Sequence, residues 1–182
     1  MRVNELEHKP CPRTKSTMCE CASVNSLSEA EATINATSEL IHSDTVKGII
    51  KFTQQPGGPT VITGEITGVE PGEHGFHIHE FGDLSGGCDT AGAHYNPDNV
   101  DHGDLEEGHV GDLGNVTADE NGVVTLNVSA PRVDLSGDRS VVGRSIIIHS
   151  DRDDLGLGGN PESLKTGNAG ERLACGVITL AE

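Results

Sequence analysis

Thr60-Val61-Ile62-Thr63-Gly64-Glu65-Ile66-Thr67-Gly68-Val69 is rich in β-branched residues, alternates roughly between apolar and polar positions, and is closed by Pro71-Gly72. β-Branched side chains are stiff at χ1 and pack well on a pleated surface, and a period of two sends alternate residues to opposite faces. The stretch reads as a half-buried strand ended by a turn. Upstream, Val46, Ile49, Ile50 and Phe52 belong to a similar run that stops at Gln54-Gln55-Pro56-Gly57-Gly58-Pro59. Downstream, the strand candidates are Gly75–His79, Val116–Ala118, Val123–Val128 (after the tight-turn pair Asn121-Gly122), Val141–His149 and Gly176–Leu180. Short strands at this spacing predict an all-β fold, an antiparallel sandwich or barrel.

Composition points the same way. Aromatic residues make up 2% of the chain and glycine is plentiful at 24 residues, which argues against a helical bundle. Two segments, Glu80–Gly114 and Asp151–Ala174, are too long and polar to be turns, and long loops in a compact domain usually carry function. The 182 residues suit one domain plus a tail. Residues 1–30 have the look of that tail: polar, without clean periodicity, with Pro10 and Pro12 close together. No apolar run reaches the ~18 residues of a membrane-spanning helix. A formal net charge of −17 makes nucleic acid and anionic membranes poor partners. The five cysteines, Cys11, Cys19, Cys21, Cys88 and Cys175, are odd in number and three of them crowd the N-terminus, so they form no obvious small-protein disulfide framework.

The nine histidines are the chemical signal. His77 and His79 lie two apart in a strand-like run, so both rings point to one face, as a divalent transition metal requires. His94, His102, His109 and Asp112 follow within one glycine-rich loop; three imidazoles and a carboxylate are a reasonable tetrahedral zinc set. His149 ends the apolar run Ser145-Ile146-Ile147-Ile148 and can face the first pair. A lone strand histidine is usually no ligand, but this arrangement is not lone. His8 and His42 lie outside it, and His74 reads as a structural hydrogen-bonding residue.

Here the sequence resembles a known family. Gly75-Phe76-His77-Ile78-His79-Glu80-Phe81-Gly82-Asp83 is similar to the copper-binding signature of copper/zinc superoxide dismutases. Gly167-Asn168-Ala169-Gly170-Glu171-Arg172-Leu173-Ala174-Cys175-Gly176 is similar to their second signature. His109-Val110-Gly111-Asp112-Leu113-Gly114-Asn115 and Asp153-Asp154-Leu155-Gly156 match as well, and the resemblance runs from about Val46 to Leu180. It implies an eight-stranded antiparallel Greek-key β-barrel with two long functional loops over residues 31–182, preceded by a poorly structured extension over 1–30. It also implies copper on His77, His79, His94 and His149, and zinc on His94, His102, His109 and Asp112, with His94 shared as a bridge. Asp153 would hydrogen-bond ligand histidines of both metals, and Cys88 and Cys175 would form an intrachain disulfide.

The implied reaction is disproportionation of superoxide by redox cycling of copper beside a redox-inert zinc. His94 would serve as bridge and proton carrier. Arg172 would orient the small anion, since a guanidinium stays charged, and Lys165 with Glu162 would belong to the steering region. A homodimer is implied, with Phe81-Gly82 and Val177-Ile178-Thr179-Leu180 as interface segments, and a copper chaperone as the partner in metal loading. The match weakens at the first strand. Ala36-Thr37-Ser38-Glu39-Leu40-Ile41-His42 is polar where apolar residues are expected, which predicts either a frayed strand or an unusual N-terminal reading frame.

Cys19-Glu20-Cys21 is a spaced thiol pair fit for copper(I), and opens an alternative reading as a copper chaperone for superoxide dismutase. Against it, the N-terminal stretch is short for a chaperone's first domain, and no Cys-x-Cys tail follows. A zinc-stabilised binding module without catalysis would need an unfilled copper site, and the full ligand set with Arg172 argues against that. The first 30 residues show no apolar run of secretory type. A cytoplasmic protein is therefore expected, with the extracellular space as the alternative because Tyr95-Asn96-Pro97-Asp98 resembles extracellular members. Of three sequons, at Asn35, Asn115 and Asn127, the one at Asn35 is placed in an exposed tail.

Overall fold

The computed structural model describes residues 32–181. Cys11, Cys19, Cys21 and the extension over 1–30 lie outside the described residues. Among the described residues nine strands follow one another: β1 Ile34–Leu40, β2 Lys47–Gln54, β3 Thr60–Thr67, β4 Gly72–His79, β5 Asp112–Ala118, β6 Val123–Ala130, β7 Ser145–His149, β8 Arg172–Val177 and β9 Thr179–Leu180. All pairings between them are antiparallel, in the order β8-β7-β4-β5-β6-β3-β2-β1-β9. The jumps from β3 to β6 and from β4 to β7 make the Greek-key crossovers. β9 is the ninth strand only because the last strand breaks at Ile178, whose amide donates to the Arg144 carbonyl. Before the break it pairs with β7, and after it with β1. One chain segment thus touches both ends of the sheet and nearly closes the barrel, which leaves few unpaired strand edges.

The walls follow the expected alternation. Ile50 and Phe52 on β2, Ile62 and Ile66 on β3, Phe76 and Ile78 on β4, and Ile146 and Ile148 on β7 all have zero exposure and fill one core. Fully burying such a side chain contributes roughly 1.5–3 kcal/mol. β4 and β7 are unusual because their outer faces are buried too. The register pairs His77 with Ile147 and His79 with Ser145, so these four side chains share the outer face. A second, smaller cluster of Leu84, Cys88, Ala91, Ile147 and Cys175 lies there, where the first long loop covers the wall.

The first strand corrects the expectation of fraying. β1 pairs with β2 along its whole length, from Ile34↔Gln54 to Leu40↔Gly48. Its inward residues are Ala36, Ser38 and Leu40, all buried. Small residues are required there: a Cβ added at Gly176 would stand 2.4 Å from Ser38 Oγ, so β8 presses close against this strand. Asn35 is consequently a strand residue rather than part of a tail, and its Oδ1 accepts from Thr53 Oγ1 at 3.1 Å.

Candidate metal centre

β4 supplies His77 and His79, and β7 supplies His149 on the same outer face. His94 arrives on the first long loop, which runs for a few residues as an extra strand against β4. Glu80 N donates to Ala93 O, and Tyr95 N to Ile78 O, at 2.9 and 2.8 Å. The ring centroids of His77 and His94 are 4.1 Å apart, those of His79 and His94 4.9 Å, and those of His77 and His149 4.9 Å. His102 and His109 come from the same loop, and Asp112 opens β5. Two groups of four ligand atoms result, the atoms of each within 4.8 Å of one another: His77, His79, His94 and His149, and then His94, His102, His109 and Asp112. Every member is buried, and His94 belongs to both.

The hydrogen bonds decide which nitrogens are free. His79 Nδ1 lies 3.0 Å from the Gly92 carbonyl and His149 Nδ1 lies 3.3 Å from that of Gly170, so each places its N–H there. Their Nε2 atoms then carry no proton in the neutral rings, yet face each other at 3.3 Å. His77 Nδ1 and His94 Nε2 are buried without a partner beside them. Four bare imidazole nitrogens converging in a buried place fit a cation, since nothing else satisfies them all. On the other side, Asp112 Oδ1 lies 2.8 Å from His94 Nδ1 and 3.2 Å from His109 Nδ1. His102 Nδ1 stands 2.9 Å from Asp112 Oδ2 but lacks hydrogen-bond geometry, as a nitrogen aimed at a shared ion would. Three imidazoles and one carboxylate suit zinc.

Asp153 lies behind both groups. Its Oδ2 takes His77 Nε2 at 2.6 Å and its Oδ1 takes His102 Nε2 at 2.8 Å, which leaves each ring's Nδ1 for its own group. Asn115 holds Asp153 by two bonds, Asp153 N to Asn115 Oδ1 at 2.7 Å and Asn115 Nδ2 to Asp153 O at 2.9 Å. The sequon at Asn115 is therefore a positioning residue, half-buried and doubly bonded. Gly167, with φ of 62°, passes so near that a Cβ there would meet Asp153 Oδ1 at 1.9 Å and His102 Nε2 at 2.5 Å. Only a residue without a side chain lets the second loop close over this contact. Its place in the second signature was the one signal of this in the sequence.

Proton affinities separate the two groups. Burial, then the neighbouring His94, lowers His79 well below the usual imidazole value. Burial, then His77, lowers His94 to about 3 and His149 to about 2. Burial opposes a proton on His102 as well, but the adjacent carboxylates of Asp112 and Asp153 outweigh it and raise that ring to about 9. The histidines around Asp112 and Asp153 in turn overcome burial there and hold both carboxyls well below the ordinary range.

A cleft of about 790 Å³ opens onto His79, His94 and His149, and Arg172, Lys165, Glu162 and Asp89 also line it. Arg172 is pinned by carbonyls of the first loop: Nη1 donates to Cys88 O at 2.7 Å and to Asp89 O at 3.3 Å, and Nη2 to Gly92 O at 2.6 Å. Lys165 Nζ donates to Glu162 Oε1 at 3.1 Å, an exposed pair of little energetic weight. Cys88 and Cys175 are joined, with Cα atoms 5.7 Å apart, so the first loop is tied to β8 across 87 residues. His74 is structural, as expected: its nitrogens lie 2.9 Å from His149 O and 2.8 Å from Glu70 O. The sequence reading passed over Asp89 and the carbonyls of Gly92 and Gly170.

The copper/zinc superoxide dismutase family model matches residues 46–178. The chain belongs to the copper/zinc superoxide dismutases. Among curated members, "Superoxide dismutase [Cu-Zn] A" of Xenopus laevis is 52% identical over 147 residues, covering 80% of this chain and 97% of that protein. "Superoxide dismutase [Cu-Zn]" of Onchocerca volvulus is 50% identical over 147 residues, covering 78% and 93%. All seven dismutase metal-ligand positions implied by the sequence signatures fall within the matched span, and the two clusters they form are those described above.

Proposed function

We propose that this protein disproportionates superoxide, two superoxide anions and two protons giving one dioxygen and one hydrogen peroxide. The observation that carries the reading is His94, whose Nε2 is bare toward three other histidines while its Nδ1 faces Asp112. His77, His79, His94 and His149 would hold copper, and His94, His102, His109 and Asp112 would hold zinc. Copper, when bound, supplies one-electron chemistry in both directions, and zinc supplies charge without redox chemistry. The chain's own part is to admit, orient and protonate. Arg172, fixed by three carbonyls beside the copper-side histidines, concentrates and aligns a small anion against a net charge of −17. His94 Nε2 is the nitrogen placed to hold a proton and pass it to the reduced product. The test is superoxide consumption by protein loaded with both metals. Activity that follows copper content supports the reading; no activity with both metals bound would overturn it.

Membership in the family and exposed apolar residues both support a homodimer. Phe81 is 52% exposed and Leu180 62%. Gly82, beside Phe81, packs on Gly143 O and Val177 Cγ1, which joins the first loop to β8 in one surface. Sedimentation at micromolar concentration giving only monomer would overturn this. The copper chaperone remains the proposed partner in metal loading, and faster loading by such a protein than by free copper would support it.

A further inference from the structure

The loop that carries His102 and His109 has two arms, and both are held from outside by one pair of arginines. Asp98 lies on the outgoing arm, four residues before His102. Arg139 grips it in a two-pronged fork, Nη1 to Oδ1 at 2.6 Å and Nη2 to Oδ2 at 2.8 Å, and Arg132 Nη2 adds a third bond at 3.2 Å. Arg132 also reaches the returning arm, its Nη1 donating to Glu106 O at 3.1 Å and to Gly108 O at 2.5 Å. Gly108 immediately precedes His109. One guanidinium therefore bridges both arms of the loop.

The platform behind these arginines is rigid. They belong to the segment between β6 and β7, whose Val133, Leu135 and Val141 are buried in the core. Thr60 Oγ1 donates to Val133 O at 2.6 Å, and Leu135 N donates to Gln54 Oε1 at 2.9 Å, which fixes that segment to β2 and β3. On the ligand side the turn organises itself. Asp104 Oδ1 accepts from the amides of Glu106 and Glu107, and Asp112 Oδ2 accepts from His109 N at 2.7 Å. The hydrogen bonds from Arg139, and then those from Arg132, lower Asp98 to about 2, so the clamp is charged throughout the neutral range.

An exposed ion pair ordinarily contributes ~1 kcal/mol or less. This one differs in kind, because a planar fork and two carbonyl bonds fix direction as well as distance. A loop that must bring two imidazoles to one ion loses conformational freedom when it binds, and holding it in place beforehand removes part of that cost. We propose that Arg132, Asp98 and Arg139 form a positioning clamp that keeps His102 and His109 in their zinc-binding arrangement and so governs how long zinc is retained. The proposal rests on the reading of His94, His102, His109 and Asp112 as the zinc site.

The test is release of zinc, and separately of copper, to a chelator from fully loaded wild type, R132A, R139A and R132K. Outer-shell partners typically change metal affinity ~10–100-fold, so R132A releases zinc ~10-fold faster or more. R139A, which removes only the fork on Asp98, releases it a few-fold faster. R132K keeps a charge near Asp98 but not the planar bridge to Glu106 and Gly108, and falls between wild type and R132A. Copper release stays within ~2-fold of wild type throughout, because the copper ligands His77, His79 and His149 sit on β4 and β7. Zinc release from R132A within ~2-fold of wild type, or zinc and copper accelerated by the same factor, would overturn the clamp. Should R132A not fold, R132K decides by the same two criteria. A wild-type protein that retains no zinc would instead overturn the assignment of the zinc site itself.

Discussion

His79 and His149, held by β4 and β7, lie against carbonyls and other imidazoles, whereas His102, held by a loop, lies between Asp112 and Asp153. All three rings are buried. Burial, then neighbouring histidines, sends His149 to about 2, while two carboxylates reverse the effect of burial and send His102 to about 9. The same side chain thus makes two different half-sites, and the placement of carboxylates makes the difference. The proposed copper half is a neutral set, three of its four imidazoles on rigid strands. The proposed zinc half is an anionic set whose imidazoles come from a loop fixed by side-chain contacts, with Asp112 at the start of β5. Four imidazoles without a carboxylate suit an ion whose charge changes during turnover, and the carboxylate-bearing half suits one whose charge does not.

That contrast can be broken most severely at Asp112. Asp112→Asn removes the charge that distinguishes the halves, and zinc affinity falls by more than the ~100-fold that outer-shell changes reach; equilibrium competition with a chelator measures it. Asp153→Asn loosens both halves, and unevenly. Zinc affinity falls ~10–100-fold and copper affinity less, because His77 remains on a strand while His102 does not. Equal losses at both metals would show that strand and loop placement do not matter. Arg172→Gln touches the copper side alone. The second-order rate with superoxide falls ~10-fold or more and loses much of its salt dependence, with metal content unchanged.

The pH dependence of the metal-free protein sharpens the same comparison. His102 titrates above its unfolded value of 6.5, so its stabilisation is full below 6.5 and is lost as pH rises through about 9. His94 and His149 titrate far below 6.5, so the unfolded chain takes up protons first and stability is lost as pH falls below 6.5. Denaturant unfolding at a series of pH values should show a maximum near 6.5 from these groups, and Asp112→Asn should flatten the alkaline limb. The smallest effect is a control in the barrel wall. Ser38 Oγ is buried without a hydrogen-bond partner, so Ser38→Ala should stabilise by about 1 kcal/mol, read by unfolding, and leave metal release unchanged.

The sequence carried the clustering of the histidines with Asp112 because their spacing is a chemical pattern, and the strands because β2, β3 and β6 alternate large apolar residues with polar ones. It misled at β1, where the inward positions Ala36 and Ser38 must be small beneath Gly176, so burial left no hydrophobic signature. The role of Asn115 was not legible for a related cause: a sequon is a local pattern, and the partner that occupies this side chain, Asp153, lies 38 residues away. The carbonyls that grip Arg172 and the arginines that grip Asp98 are likewise products of tertiary placement. Arg132 and Arg139 are 34 and 41 residues from Asp98, and nothing about either in isolation points to it.

Asp153 gives the two half-sites a common accounting. Because one carboxylate fixes the tautomer of a ring in each, ordering that ring for one ion also orders the carboxylate for the other. A coupling free energy of this kind is reciprocal: the factor by which zinc tightens copper is the factor by which copper tightens zinc. The two routes from the bare chain to the doubly loaded one, copper first or zinc first, must therefore release the same total free energy, so any preferred order of assembly in a cell is a matter of rates and supply.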